Sequence, residues 1–125
     1  MPRILAYNLS APKAELVRSL CATHGIEFVT VQRGDQPRRI HEMLAARPAD
    51  GAAVGETFDD EMLLFDGIGD DLLHVLLREI RRGGGVALKA VVTPFNRVWT
   101  SFQLRNELLR EQQEMMKQLA NGRGS

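Results

Sequence analysis

The chain has 125 residues, 44% of them hydrophobic and 26% charged, the size and balance of one globular domain that can bury a core without disulfide or metal support. Its 16 Lys and Arg residues offset 16 Asp and Glu residues, so it lacks the basic excess that a general binder of nucleic acid or of an anionic membrane carries. Cys21 is the only cysteine, which excludes an internal disulfide and a thiol-rich metal site.

Arg3 to Leu9 is a short apolar run and predicts a first strand. Ser10 follows as an N-cap, with Pro12 in the first turn where its missing N–H costs nothing. Leu16, Val17, Leu20, Cys21 and His24 recur at helical spacing, and Gly25 closes that helix. Ile26 to Val31 alternates and is β-branched, the pattern of a second strand. Asp35, Gln36 and Pro37 open a weaker helix with Ile40, Met43 and Leu44 on its apolar face. Pro48 to Asp60 is rich in Gly, Ala and Asp and predicts a mobile loop.

Glu61 to Asp66 predicts a third strand, and Asp70 caps a helix with Leu72, Leu73, Leu76, Leu77 and Ile80 on one face. Arg78, Arg81 and Arg82 lie toward its C-terminus, where cations complement the helix dipole, and Gly83, Gly84 and Gly85 end it. Val86 to Val92 predicts a fourth strand, and Thr93-Pro94-Phe95-Asn96 is turn chemistry. Thr100 and Gln103 have capping-box spacing for a last helix running to about Leu119, with Asn121-Gly122 as its stop.

The order βαβαβαβα predicts a single three-layer α/β domain over residues 1–120, with 121–125 a disordered tail. The expected sheet is four-stranded and mainly parallel, in order 2-1-3-4, with the first and third helices on opposite faces. The first residues lack the basic-then-apolar pattern of a signal peptide, and no apolar run approaches the roughly 20 residues of a membrane helix. A reducing cytoplasm is the expected compartment.

Ligands in open parallel sheets bind outside the carboxyl ends of the strands. Four segments are expected to meet there: Asn8-Leu9-Ser10, Arg33-Gly34-Asp35, Asp66-Gly67-Ile68-Gly69 and Thr93-Pro94-Phe95-Asn96. Gly67-Ile68-Gly69 lies among Asp66, Asp70 and Asp71, so it reads as a tight strand-to-helix turn rather than a phosphate cradle. Oxygen ligation of a cation by those three aspartates is the less favoured reading. Lys89 stands in an otherwise apolar strand; it snorkels to the rim of an edge strand, or holds a ligand anion. The residues that would build a pocket are Asn8, Ser10, Lys89, Thr93 and Asn96.

Trp99 either plugs the core beneath its loop or lines an interface. Cys21 and His24 have a chelating spacing, but their place on an apolar helix face reads as core packing. No metal ligand set, cofactor motif or catalytic triad emerges. The last helix carries one stripe of Leu104, Leu108, Met115 and Leu119 and another of Phe102, Leu109 and Met116, seamed by Arg105 and Gln112. A helix of about 20 residues spans about 30 Å, longer than the strands beneath it, so its end should overhang. Trp99, Leu109, Met115, Met116 and Leu119 are therefore the candidate interface, for a homodimer or another protein.

Glu56 through Trp99 resembles a bacterial family of short α/β proteins known only as a domain of unknown function. The resemblance rests on Met62-Leu63-Leu64-Phe65, Gly67, Ala87-Leu88-Lys89-Ala90-Val91, Thr93-Pro94, Asn96 and Trp99-Thr100, with Ile4 to Leu9 fitting the first strand. It implies a small α/β fold and no activity. The leading expectation is a non-enzymatic interaction or regulatory module using the fourth-strand loop and last helix. The alternative is a small-molecule-binding or catalytic pocket at the carboxyl edge.

Overall fold

The structure is a computed structural model that describes residues 1–45 and 55–123. Its strands are β1 (Arg3–Tyr7), β2 (Glu27–Thr30), β3 (Met62–Asp66) and β4 (Leu88–Val91), and its α-helices are α1 (Ala11–His24), α2 (Ile40–Met43), α3 (Asp70–Arg82) and α4 (Ser101–Arg123). Single 3-10 turns cover Arg33–Asp35 and Asn96–Val98. Most of the expected mobile loop, and the end of the expected tail at 124–125, lie outside the described residues. The helical stop expected at Asn121-Gly122 does not fall there, since α4 continues to Arg123.

Local signals place most of these elements. Ser10 adopts an extended N-cap conformation with Pro12 just inside α1, and Gly25 terminates it at φ +67°, a left-handed geometry that side chains with a Cβ rarely take. Asp70 and Asp71 occupy the first turn of α3 and Arg81 and Arg82 its last, each complementing the dipole; the cap position itself falls on Gly69. The capping box of α4 forms in both directions. The Thr100 N–H donates to Gln103 Oε1 at 2.9 Å, and the Gln103 N–H donates to Thr100 Oγ1 at 3.1 Å.

The strand order is β2-β1-β3-β4, as the sequence leads one to expect. Two of its three strand pairs are parallel, but the central pair is not, so the sheet is mixed rather than purely parallel. β1 runs parallel to β2 and β3 parallel to β4, but β1 and β3 are antiparallel, with Leu5 opposite Leu64. Parallel neighbours need a crossover of a dozen or more residues, commonly a helix. Between β2 and β3 the α-helix found among the described residues is four residues long, and the chain leaves β2 and enters β3 at the same end of the sheet, the one marked by Tyr7.

That reversal also corrects the helix placement. Right-handed crossovers in opposite directions along a parallel sheet put their helices on opposite faces. Turning β3 and β4 around reverses the second crossover, so α1 and α3 share a face. Val17 and Cys21 of α1 pack with Leu76 and Ile80 of α3 over Ile4, Ala6, Leu63 and Phe65. The other face of the strands presents Leu5, Tyr7, Met62, Leu64 and Leu88 to Ile40, Phe58 and Leu104. Three layers result, with α1 and α3 on one side and α2 and α4 on the other.

Candidate functional site

The antiparallel centre divides the expected site. The carboxyl ends of β1 and β2 lie at the Tyr7 end of the sheet, and those of β3 and β4 lie at the Arg3 end. Asn8 and Ser10 therefore stand at one end and Thr93 and Asn96 at the other, and the four loops do not meet at one edge. Lys89 sits between the two ends on β4, the outermost strand.

At the Tyr7 end a polar network ties the chain before β3 to the sheet. Asn8 has φ +56°. Its Nδ2 donates to the carbonyls of Phe58 at 2.8 Å and Asp60 at 3.0 Å, and its Oδ1 accepts from Gln36 Nε2 at 3.3 Å. Gln36 is fully buried, and its Oε1 accepts the Phe58 N–H at 2.8 Å. A buried amide needs such partners, because an unmade hydrogen bond there costs on the order of 1–3 kcal/mol. Arg105 on α4 grips Asp60 through two nitrogens, at 2.8 and 2.7 Å, and lies 5.7 Å from the ring centres of Phe58 and Phe102.

Ser10 serves this junction through its backbone. Its N–H donates to Glu61 at 3.1 Å, and Lys13 reaches the same carboxylate at 2.7 Å. Partial burial opposes ionisation of Glu61, but Lys13 and the Ser10 N–H outweigh it and hold the carboxyl below its ordinary range. Beside this junction is an open depression of about 220 Å³, lined in part by Asn8, Leu9, Thr30, Gln32 and Arg33. Arg33 is engaged with Asp59.

Across the sheet, Tyr7 Oη and Ser101 Oγ are 2.7 Å apart, both fully buried. This contact docks the first turn of α4 on β1. Burial raises the Tyr7 pKa well above the ordinary phenol range, and the bond to Ser101 offsets part of that rise. Burial likewise pushes the Cys21 thiol up to about 11. His24, expected on the same apolar face as Cys21, is exposed at the last position of α1.

At the Arg3 end, Thr93 and Asn96 are brought together. The Thr93 N–H donates to Asn96 Oδ1 at 2.9 Å, the Asn96 N–H donates to Thr93 Oγ1 at 3.1 Å, and Asn96 Nδ2 donates to the Val91 carbonyl at 2.9 Å. This clamp closes the strand. Its Asn96 is buried, while Phe95 is 81% exposed.

β4 leaves one side open. The N–H groups of Leu88 and Val92 donate to the carbonyls of Glu61, the residue before β3, and of Phe65 on β3, so the alternate residues Lys89 and Val91 direct their backbone groups outward. The Ala87 carbonyl accepts from Gln112 on α4 at 3.1 Å. The Val91 carbonyl is held by Asn96, and Lys89 lies between these two capped positions. The Lys89 side chain is exposed and its ammonium donates to the Val86 carbonyl. Partial desolvation, with Arg81 adding repulsion, lowers its pKa. Two depressions flank this edge. One of about 210 Å³ lies against α4, lined by Leu88, Lys89, Leu108, Glu111 and Met115 among others; the other, of about 200 Å³, lies against α3, lined by Phe65, Leu73, Leu77, Lys89, Ala90 and Val91.

The five interface candidates separate by depth. Trp99 and Leu109 are half-buried against the α2–α4 side of the core, whereas Met115, Met116 and Leu119 are exposed on the overhang of α4. Sequence reasoning missed Gln36, Tyr7 and Ser101. Arg105 and Gln112 carried a signal as polar interruptions of an apolar arc, and both reach back to the sheet, Arg105 to Asp60 and Gln112 to Ala87.

Residues 61–115 match a domain of unknown function, DUF3783. The match runs from the start of β3 into the overhang of α4 and covers Lys89, Thr93, Asn96 and Trp99. No curated protein and no solved structure matches the chain. Among the described residues, no helix is long and apolar enough to cross a membrane.

Proposed function

We propose that this chain is a protein-interaction module acting through β4, the turn that follows it and the overhang of α4. One observation carries the reading. Apart from Met1, the large exposed hydrophobic side chains among the described residues are Val91, Phe95, Val98, Met115, Met116 and Leu119, all in the last third of the chain. They fall on β4, the turn after it and the α4 segment beside it, and exposed apolar groups on adjoining elements mark a surface that is covered in use, whereas scattered single ones carry no such meaning. Methionines suit such a surface, because their unbranched side chains adapt to a partner. The polar groups at the Tyr7 end are occupied in holding the fold, which weighs against a pocket built on Asn8 and Ser10.

The test is photo-crosslinking in living cells from a reactive residue placed at Phe95 or Met116, with Thr23 on α1 as the control position. Adducts concentrated at the first two positions are expected. Labelling no stronger than from position 23 would refute the reading.

A further inference from the structure

We infer that the partner of this surface is a second copy of the chain, paired strand to strand: β4 lies antiparallel to β4 of the other copy, Ala90 opposite Ala90, and joins two four-stranded sheets into one. The inference rests on the interaction reading above and names its partner.

The edge itself sets the register. In an antiparallel pair, residues directly opposite share a face, so the two numbers of a pair must have an even sum. Lys89 offers its outward N–H and carbonyl, and Val91 its N–H and the second lone pair of the carbonyl that Asn96 already engages. Pairing Lys89 with Lys89 would set two ammonium groups against each other, which is unfavourable on a shared face. Pairing Lys89 with Val91 uses the same backbone groups, avoids the repulsion and puts Ala90 on the two-fold axis. Leu88 then faces Val92 on the α4 side.

Side chains and depressions agree with this register. The second copy's Val91 enters beside Lys89 on the α3 face, where the depression walled by Phe65, Leu73 and Leu77 lies. Its Val92 enters beside Leu88 on the other face, where the depression walled by Leu108 and Met115 lies. An added strand that sends alternate side chains to hollows on its two faces is the general form of recognition by sheet extension. Val91 is 43% exposed in one chain and gains a neighbour only from outside.

The apolar ends point to self-association. Phe95 follows β4 at the Arg3 end, and Met115 stands beside its first residues at the Tyr7 end. A strand of four residues spans only about 13 Å, so one chain cannot bring these ends together. A two-fold axis at Ala90 does so twice, because it lays the turn of each copy against the overhang of the other. An interface between like surfaces needs this self-complementarity.

The experiment is a charge swap read by sedimentation equilibrium. Val91→Lys places an ammonium opposite Lys89 at both symmetric pairs and is expected to weaken self-association by about ten-fold or more. Adding Lys89→Glu to that variant turns both pairs into Glu–Lys and is expected to restore it. Both side chains are exposed, and circular dichroism and thermal melting check that each variant folds. In a Cys21→Ala background, Ala90→Cys is expected to form an intermolecular disulfide under mild oxidation, since directly opposed positions near 4.5 Å apart fit its reach. Thr30→Cys, on the opposite sheet edge, is expected to form none. Dimers unaffected by Val91→Lys, a double variant that stays dissociated, or cross-links equal at the two cysteine positions would each overturn the inference. A wild-type chain that stays monomeric at millimolar concentration while still cross-linking to other proteins from Phe95 and Met116 would overturn the second copy as partner and leave the interaction surface standing.

Discussion

Replacing Tyr7 by Phe removes one hydroxyl and leaves the Ser101 hydroxyl, fully buried, without its 2.7 Å partner. An orphaned buried polar group costs about 1–3 kcal/mol, so Tyr7→Phe and Ser101→Ala should each destabilise by about 2 kcal/mol. With about 2.1 cal/mol/K of unfolding entropy per residue, a chain of 125 residues loses about 8 °C of Tm for that amount. The double variant removes both groups and leaves neither unsatisfied. Its cost should therefore fall short of the sum of the single costs by about 1–2 kcal/mol. Urea melts of the four proteins at one pH give the coupling energy directly. Additive costs would show that the two hydroxyls do not depend on each other, and would refute this bond as the anchor of α4 on β1.

Other perturbations read other parts of the molecule. The Cys21 thiol is pushed up from 9.0 to about 11 in the fold, so the unfolded chain gives up its proton first. Stability from this group is complete below about pH 9 and is lost toward pH 11 at about 1.4 kcal/mol per pH unit, with Tyr7 adding to the loss above about pH 10. Chemical denaturation across that window should show the decline, and Cys21→Ala should flatten its lower part. Thr100→Ala removes one arm of the capping box and should cost about 1 kcal/mol, measured by thermal melting. Arg105→Ala should leave the far end of α4 unchanged but speed amide exchange at Phe58 and Glu61, because Asp60 loses both of its bonds to α4. Asn96→Ala removes the amide that holds the Val91 carbonyl and the Thr93 N–H, and should destabilise by about 1–3 kcal/mol in urea melts.

Much of the fold was legible because its signals are local. Ser10, Pro12 and Gly25 bound α1, and Thr100 with Gln103 marks the start of α4, through contacts within a few residues. The strand order also followed from the alternation of elements. The sense of β3 did not, since it depends on how the chain returns between Thr30 and Met62, and a weak apolar face at Ile40, Met43 and Leu44 reads alike for a crossover helix and for one turn. Every expectation that assumed a parallel centre failed with it, including the opposed α1 and α3 and the common edge for Asn8 and Asn96. The surface candidates fared differently. Met115, Met116 and Leu119 could be placed on an overhang from helix length alone, whereas Gln36 gave no sign of burial because its partners, Asn8 and Phe58, lie 28 and 22 residues away.

The antiparallel seam between β1 and β3 also divides the molecule into two strand–helix–strand halves of unequal standing. The half built on β3, α3 and β4, with most of α4, is the part that matches DUF3783; the half built on β1, α1 and β2 lies outside the match. Taken alone, the matching half would have two bare strand edges, and β3 would show one flank of unpaired amides bordered by Leu63, Leu64 and Phe65, a template for aggregation. Here β1 closes that flank along its whole length, from Arg3 opposite Asp66 to Tyr7 opposite Met62. The first half thus acts toward the second as a built-in companion strand, and a chain with the matching half alone would have to find an equivalent elsewhere.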